Sequence, residues 1–369
     1  YPDAERYRVV LYASLSKTGR GHGTDRVLYE VLGKDRTEVI FSEDSPADLP
    51  HPNTLDFFAY QGEEQIGTMR VQSIGGGDIV VDGEDTAASE EIYPENSFAE
   101  IEQFCRWRYI SLSEYVDLNE GPEIWDFLAE VWAAMKKSID DGLNAEGILP
   151  GGLQVERKAK RLYAQEKPDE LPQIRELRMV CSYAFAIAEQ NADNGTIVTA
   201  PTCGSAGVLP SVLLYMQKRH NIPDRRVLEA LAVAGLFGSL VKRNASISGA
   251  ECGCQAEIGT ACSMAAAALC HLMGKTINET EYAAEIAMEH QLGLTCDPIC
   301  GLVQIPCIER NAVAAARALD ANSYANLSDG HHMISYDRVV EVMKETGKDI
   351  PSLYRETSEG GLARNYTQK

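Results

Sequence analysis

Hydrophobic positions along the chain follow two different periods, and the change falls near residue 100. Before it, apolar and β-branched residues come in short runs: RVVLYASL at 8–15, TEVIF at 37–41, TLDFFAY at 54–60 and TMRVQSIGG from 68. Runs of this length, bounded by glycine and polar turns, predict strands. After the first of them, SKTGRGHGTD forms a Gly-rich turn, and Thr24 or Asp25 is placed to cap a helix over DRVLYEVLG that closes at Gly33. The pattern predicts a small α+β unit over residues 1–85, one sheet with helices on a face.

Residues 82–99, DGEDTAASEEIYPENSFA, are acidic and lack apolar periodicity, so 86–99 reads as a linker. Beyond Glu100 the period becomes helical. EIWDFLAEVWAAMKKSIDDGL places Ile124, Phe127, Leu128, Val131, Trp132 and Met135 at three-and-four spacing. Stretches 172–190, 206–219, 226–243, 259–273, 280–292, 308–320 and 336–346 repeat that spacing. Residues 100–369 therefore read as a second, predominantly helical domain, with central helices too apolar to face water on more than a narrow strip.

Composition narrows the function classes. Acidic residues outnumber basic ones 55 to 34, a formal charge of −21, which disfavours nucleic acid and anionic membranes as partners. No apolar run approaches the roughly 18–20 residues of a membrane-spanning helix. Ten cysteines, sparse outside one region, suit a reducing compartment better than a secreted disulfide scaffold, so a cytoplasmic protein is expected.

Seven of those ten lie between Asn244 and Arg310: Cys252, Cys254, Cys262, Cys270, Cys296, Cys300 and Cys307. They lack the two close Cys-x-x-Cys pairs of a structural zinc module. Cysteines far apart in sequence suit an iron–sulfur centre assembled between helices. Three ligands would leave one iron open to a substrate oxygen. The other reading stays open on spacing alone: cysteine is among the most buried residue types, and these could be small core residues.

Other constellations are weaker. Ser73-Ile-Gly-Gly-Gly lacks the continuation of a nucleotide-binding fingerprint and reads as a sheet-edge turn or bulge. Pyridoxal phosphate is not expected, because Lys242, beside the cysteine-rich region, neighbours Arg243 and reads as a solvated helix end. His22, in GRGHGTD, is displayed in a loop, either as a general base of suitable ordinary pKa or without a role. His290 reads as a core or capping residue, and His331-His332 as exposed loop residues. Small residues at 200–207, APTCGSAG, leave backbone N–H groups free ahead of a helix. With the hydroxyls of Ser246 and Ser248, they begin to describe a pocket for a small anionic metabolite.

Several runs are similar to those of the iron–sulfur-dependent L-serine dehydratases (L-serine ammonia-lyases): LYASLSKTGRGHGTD, SIGGGDIV, NAEGILPGGL, TAPTCGSAG, NASISGAECGCQAEIGTACSMAAA, AAEIAMEHQLGLTCDP, VQIPCIERNA and ETGKDIPSLYRETSEGGLA. They occur in order over nearly the whole chain. The resemblance implies conversion of L-serine to pyruvate and ammonia by a homodimer with a 4Fe–4S cluster. By motif, Cys254, Cys296 and Cys307 would hold that cluster, and Cys252, Cys262, Cys270 and Cys300 would be core residues or neighbours of it. His22 matches a glycine-flanked histidine and would be the base. Thr202, Ser205, Ser246 and Ser248 would hold the substrate's carboxylate or amino group. The first domain would be ferredoxin-like and related to amino-acid-sensing domains; the second would be the all-helical catalytic domain.

Three departures qualify the resemblance. A Ser-Ser-Ser-His-Thr segment expected in single-chain members would fall upstream of Tyr1. The tail, RNYTQK, lacks the terminal cysteine of some members, so self-ligation by the tail is not expected. Cys203 replaces a common asparagine and could add a fourth thiolate. The competing readings are a related L-cysteine desulfidase-type lyase, a non-catalytic iron–sulfur sensor with four thiolates, and an amino-acid-binding regulator in which the cysteines are core.

Overall fold

The computed structural model describes residues 1, 3–84, 91–364 and 366. Its first part alternates β1 (Arg6–Leu11), α1 (Ala13–Thr18), α2 (Thr24–Leu32), β2 (Thr37–Phe41), β3 (Thr54–Gln61), β4 (Glu64–Gly75) and β5 (Asp78–Val81). The strands form one sheet in the order β2-β1-β3-β4-β5. Only the β1–β2 pair is parallel, joined through α1 and α2; β3, β4 and β5 form an antiparallel meander beside β1. Val9, Leu11, Leu15, Leu55, Val71 and Val81 make its small core.

The α+β expectation holds, with local differences. The first strand stops at Leu11 rather than running to residue 15. Ser14, Leu15 and Thr18 are buried on one face, a three-to-four spacing that suits a helical turn and not a strand. The second helix starts where expected, but Gly23, at φ 71°, occupies the cap position and no side chain caps it. The Asp25 carboxylate instead accepts from the adjacent Arg26 N–H at 3.0 Å. The run 73–77 is the hairpin between β4 and β5. Gly76 and Gly77 are its two central residues, at φ 63° and 93°, the left-handed geometry that matches a two-residue hairpin to strand twist.

Helices follow from α3 (Phe98–Arg108) through α4 (Leu112–Glu120), α5 (Glu123–Asn144), α6 (Ala159–Ala164), α7 (Pro172–Ala192), α8 (Val208–His220), α9 (Asp224–Asn244) and α10 (Gly249–Cys252). They continue with α11 (Thr260–Leu272), α12 (Ile277–Glu289), α13 (Cys307–Leu327), α14 (Tyr336–Asp349) and α15 (Gly361–Arg364). Residue 85 and the first part of the expected linker, residues 86–90, lie outside the described residues. The helical region already begins at Phe98, where the Ser97 hydroxyl accepts the Glu100 N–H. Residues ahead of it lie along the helices: the Tyr93 hydroxyl donates to Glu120 at 2.7 Å, and Arg243 donates to the carbonyls of Tyr93 and Glu95.

α11 is the axis of the helical part. Every residue from Thr260 to Leu272 except His271 is buried, because its alanine-rich face lets α8, α9, α12 and α13 pack closely around it. The same logic sets Gly142 on α5, where an added Cβ would sit 2.3 Å from the Ala186 carbonyl of α7.

An aromatic layer ties the start of the helical part to its end. The Phe237 ring lies 4.9 Å from those of both Phe98, tilted against it, and Tyr336, which it meets edge to face, and all three are fully buried. Phe237→Ala should lower stability by about 3–5 kcal/mol, seen as a lower midpoint of chemical denaturation. Val313→Ala, at a position 58% exposed on α13, should change it by less than about 0.5 kcal/mol.

Candidate active site

The sheet and the helices meet along a cleft, and four short contacts define it. The Ser14 hydroxyl donates to the Glu356 carbonyl at 2.8 Å, Lys17 pairs with Glu359 at 2.6 Å, and Lys242 pairs with Asp78. Gly21 lies so close to Gly301 that an added Cβ would overlap the Gly301 carbonyl oxygen. Lys242 therefore sits in the last turn of α9, partly exposed, and faces the sheet.

One side of the cleft is a cysteine corner built by three separate segments. Cys254 follows α10 after Gly253, which turns at φ 74°. Cys296 lies in the loop after α12, with its N–H donating to the Tyr354 carbonyl at 2.8 Å and its carbonyl accepting the Glu356 N–H at 2.7 Å. Cys307 is the first residue of α13. Sulfur atoms of Cys254 and Cys296 and a carboxylate oxygen of Glu257 all lie within 4.8 Å of one another. Cys307 and Arg310 line the same enclosed space. Glu257 is delivered by a π-helical turn, Gln255–Gly259, that leads into α11; such turns recur at functional sites because they displace side chains from the regular helical track.

The electrostatics of this corner favour a bound cation. The neighbouring Cys254 and burial together hold the Cys296 thiol well above its ordinary pKa, and burial does the same to Cys307. Glu257 is pushed up to about 7, first by burial and then by the Glu356 charge, although the Thr202 hydroxyl donates to it at 2.7 Å. Buried thiols and acids without a counter-charge stay protonated; a thiophilic metal in their midst would ionise them. Arg310 supplies the nearby positive charge, its guanidinium donating to the Thr295 carbonyl at 2.7 Å.

On the other side, a cavity of about 290 Å³ is lined by His22, Thr202, Cys203, Ser248, Glu257 and Glu356, with the Gly75–Gly77 turn at its edge. His22, Glu257 and Glu356 line both spaces. His22 Nε2 lies 3.0 Å from Glu356 Oε1. Burial opposes a charge on this imidazole, but hydrogen bonding to Cys203 and Glu356, with the Glu356 charge, outweighs it. The His22 pKa is held well above 6.5.

The structure thus brings His22, Thr202, Ser248, Cys254, Cys296 and Cys307 around one cleft. Two expected hydroxyls point elsewhere. Ser205 is fully buried, its hydroxyl 3.3 Å from the Ala200 carbonyl. Ser246 donates to Glu251 and accepts the Ser248 N–H at 3.0 Å. Cys203 lies beside His22 rather than among the lining residues of the cysteine corner.

Of the remaining cysteines, Cys252 packs where α14 passes at Gly347, Cys262 and Cys270 are fully buried in α11, and Cys300 is exposed. That last position differs from expectation because Cys300, at φ 55°, is the outward tip of the tight turn Ile299–Gly301, whose other two residues are buried. His290 caps the end of α12, its Nδ1 2.9 Å from the Ile286 carbonyl. His332 is not a free loop residue but stacks on Tyr282 at 4.8 Å.

Glu257, Arg310 and Glu356 were not singled out from the sequence. Glu257 left a signal there: a lone carboxylate in the small, apolar run CQAEIGTAC. Glu356 left only its place in the family-like run ETGKDIPSLYRETSEGGLA, since ETSEGG by itself reads as an ordinary polar loop.

Comparison with known proteins places the whole chain. A family model described as serine dehydratase alpha chain matches residues 67–363. The L-serine dehydratase of Streptomyces coelicolor is 40% identical over 407 aligned residues, covering 97% of this chain and 89% of that protein. L-serine dehydratase 1 of Escherichia coli is 41% identical over 409 residues, with the same coverage. The L-serine dehydratase of Mycobacterium tuberculosis is 38% identical and covers 98% of this chain. With one family model matched over most of its length and relatives near 40% identity across nearly all of it, this chain belongs to the serine dehydratase family.

Proposed function

We propose that this chain converts L-serine to pyruvate and ammonia in the cleft between the sheet and the helices. The observation that carries the reading is the meeting of His22 and Glu356 with three cysteines around one enclosed space, in a chain of this family. The donor set fits an iron–sulfur cluster: three soft thiols from three segments, Cys254 and Cys296 buried and Cys307 partly so, with Arg310 beside them to offset thiolate charge. Cys254, Cys296 and Cys307 would hold a 4Fe–4S cluster, which when bound supplies a Lewis acid for the substrate hydroxyl.

The chain's own residues account for the proton chemistry. His22, in its neutral form, takes the Cα proton, and Glu356 stabilises the imidazolium that results. The electrons of the Cα–H bond become the Cα–Cβ double bond as the Cβ–O bond breaks. The leaving hydroxide takes up a proton to depart as water, and the His22 imidazolium gives back the one it took, which restores the neutral base. The aminoacrylate so formed tautomerises to an imine, which adds water and releases ammonia to give pyruvate. One water is lost and one consumed. Thr202 and Ser248 line the substrate side of the cleft and orient serine there, while Ser205 and Ser246 hold the backbone behind them. Burial of the cleft strengthens each of these contacts.

A cytoplasmic location is supported by ten unpaired cysteines, and a homodimer is the assembly that the family resemblance implies. A ferredoxin-like kinship of the first domain rests on its open sheet and its β1–helix–β2 crossover. One such crossover is present among the described residues.

Protein reconstituted anaerobically with iron and sulfide should form pyruvate from L-serine faster than it releases sulfide from L-cysteine; the reverse preference would favour the desulfidase. His22→Ala should slow serine turnover by roughly 10²–10⁴-fold. Because the base must be neutral and its pKa is raised, kcat/KM should climb with pH above neutrality. Glu356→Gln, which removes one support of the imidazolium, should move that limb to lower pH. Cys296→Ala should lose bound iron, whereas Cys270→Ala, at a fully buried position in α11, should retain it. Equal iron loss in the two would rule out the three-cysteine assignment.

A further inference from the structure

Two acids one turn apart on α12, Glu281 and Glu285, are buried at 7% and 2% exposure, and the fold treats them differently. Glu281 is provided for: it accepts the Tyr336 N–H at 3.0 Å, and the His332 imidazole lies 3.6 Å from it. Glu285 is not. One of its carboxylate oxygens is shut off from water and meets no hydrogen-bond donor among the described residues. A buried polar oxygen in that state costs stability unless a partner is supplied from elsewhere.

Glu285 lies in the wall of a cavity of about 630 Å³ between α12 and α13, which shares no lining residue with the cysteine cleft. That volume is typical of small-molecule sites. Ile286, Ala287 and Ala321 give it an apolar wall, and the rings of Tyr282 and Tyr324 meet edge to face at 6.0 Å as a corner. Glu289 and Asp320 add two more carboxylates. The guanidinium of Arg317, which also lines the cavity, is already paired with Asp320 at 3.0 Å. Carboxylates and aromatic faces attract the same kind of ligand, a cation. A metal ion suits the place poorly. Among the described residues, the group of metal-binding side chains whose ligand atoms converge is at the cysteine corner, not here.

We infer that this cavity binds an organic cation, a primary ammonium on an apolar or aromatic body. The ammonium donates to the unpartnered oxygen of Glu285, Glu289 adds negative charge beside it, and the body rests against Tyr282 and Tyr324. This second site does not rest on the dehydratase reading.

Protonation is linked to such binding. Burial, and after it Glu289, push the Glu285 carboxyl up to about 9, so near neutral pH it holds a proton that an arriving ammonium displaces. Glu281 and Glu289 act on it from α12, and Arg317, Asp320 and Tyr324 face it from α13. From α11, packed behind, come only buried thiols and, in the last turn, His271. The buried titratable group of α14 is Tyr336, whose hydroxyl donates to the Phe237 carbonyl at 3.2 Å. Glu257, on the π-helical turn, faces the cysteine corner instead.

Calorimetric titration of the full-length reconstituted protein with phenethylammonium chloride tests the inference. Saturable binding at about millimolar or tighter is expected, with none for phenylacetate, an anion of similar build. Because the ammonium replaces a proton, affinity should tighten by up to about tenfold per pH unit from about pH 7 to 9. Glu285→Gln, which keeps the shape and removes the charge, should weaken binding at least about tenfold and flatten that pH dependence. Glu289→Gln alters a half-exposed rim position, which protects the test if the buried variant misfolds, and should weaken binding about three- to tenfold. No saturable binding by the wild type would overturn the inference and leave Glu285 and Glu289 as an acid pair sharing a proton. Binding unchanged in both variants would overturn it as well, placing the amine elsewhere on the acidic surface. A wild type that ignores the amine while Glu285→Gln changes its sedimentation would overturn it in favour of a contact between two copies of this chain.

Discussion

The site depends on one short strip of backbone. Between Tyr354 and Glu356 the chain accepts the Cys296 N–H, returns the Glu356 N–H to the Cys296 carbonyl, and offers the Glu356 carbonyl to Ser14 of the sheet part. The Glu356 carboxylate then meets His22. A cysteine of the helical part and a histidine of the sheet part are thereby referred to the same few atoms. Hydrogen bonds of this kind contribute little individually to stability, but here they fix the distance between groups that must act together.

Charge is the second constraint. The chain is strongly acidic overall, yet the cleft adds further acids and thiols in a buried setting: Glu257, Glu356, Cys254, Cys296 and Cys307. Desolvation raises the cost of ionising each of them, and each ionised neighbour raises it further. Arg310 and His22 are the basic groups lining this space. A site so short of positive charge is suited to receive it, from a metal centre on the cysteine side and from the substrate ammonium on the other. The raised pKa values of Cys296 and Cys307 and the raised pKa of His22 have different origins. Burial and thiol neighbours govern the first two, whereas two hydrogen-bonding partners overcome burial in the third.

The helical part serves chiefly as a rigid frame. The alanine-rich α11 lets its neighbours approach closely, and the turn carrying Thr202 and Cys203 is locked to α13 through Asn311. Close packing of this sort has low compliance, so small displacements at the cysteine corner are resisted by the whole bundle. The π-helical turn at Gln255–Gly259 is the local irregularity in that frame, and it is where Glu257 enters the site.

What the sequence determined by itself was local: where the period changes from two to three-and-four, which stretches form strands and helices, and which cysteines carry family motifs. Periodicity located β2 and β3 and most of the helices because burial on one face leaves a regular mark along the chain. It extended the first strand into α1 and overlooked β5, because short elements whose burial is set by distant partners leave no such mark. The candidate site was legible in part: His22, Thr202, Ser248 and the three cysteines that the family motifs single out lie around one cleft, while Ser205 and Ser246 turn their hydroxyls to nearby groups. Only the tertiary structure decided that Glu356, Glu257 and Arg310 belong with them, and that Cys203 lines the cavity beside the cysteine corner. Those assignments depend on contacts between separate segments, from Glu257 with Thr202 to Glu356 with His22 more than three hundred positions away, and no one-dimensional pattern encodes which distant polar groups a fold will bring within hydrogen-bond reach.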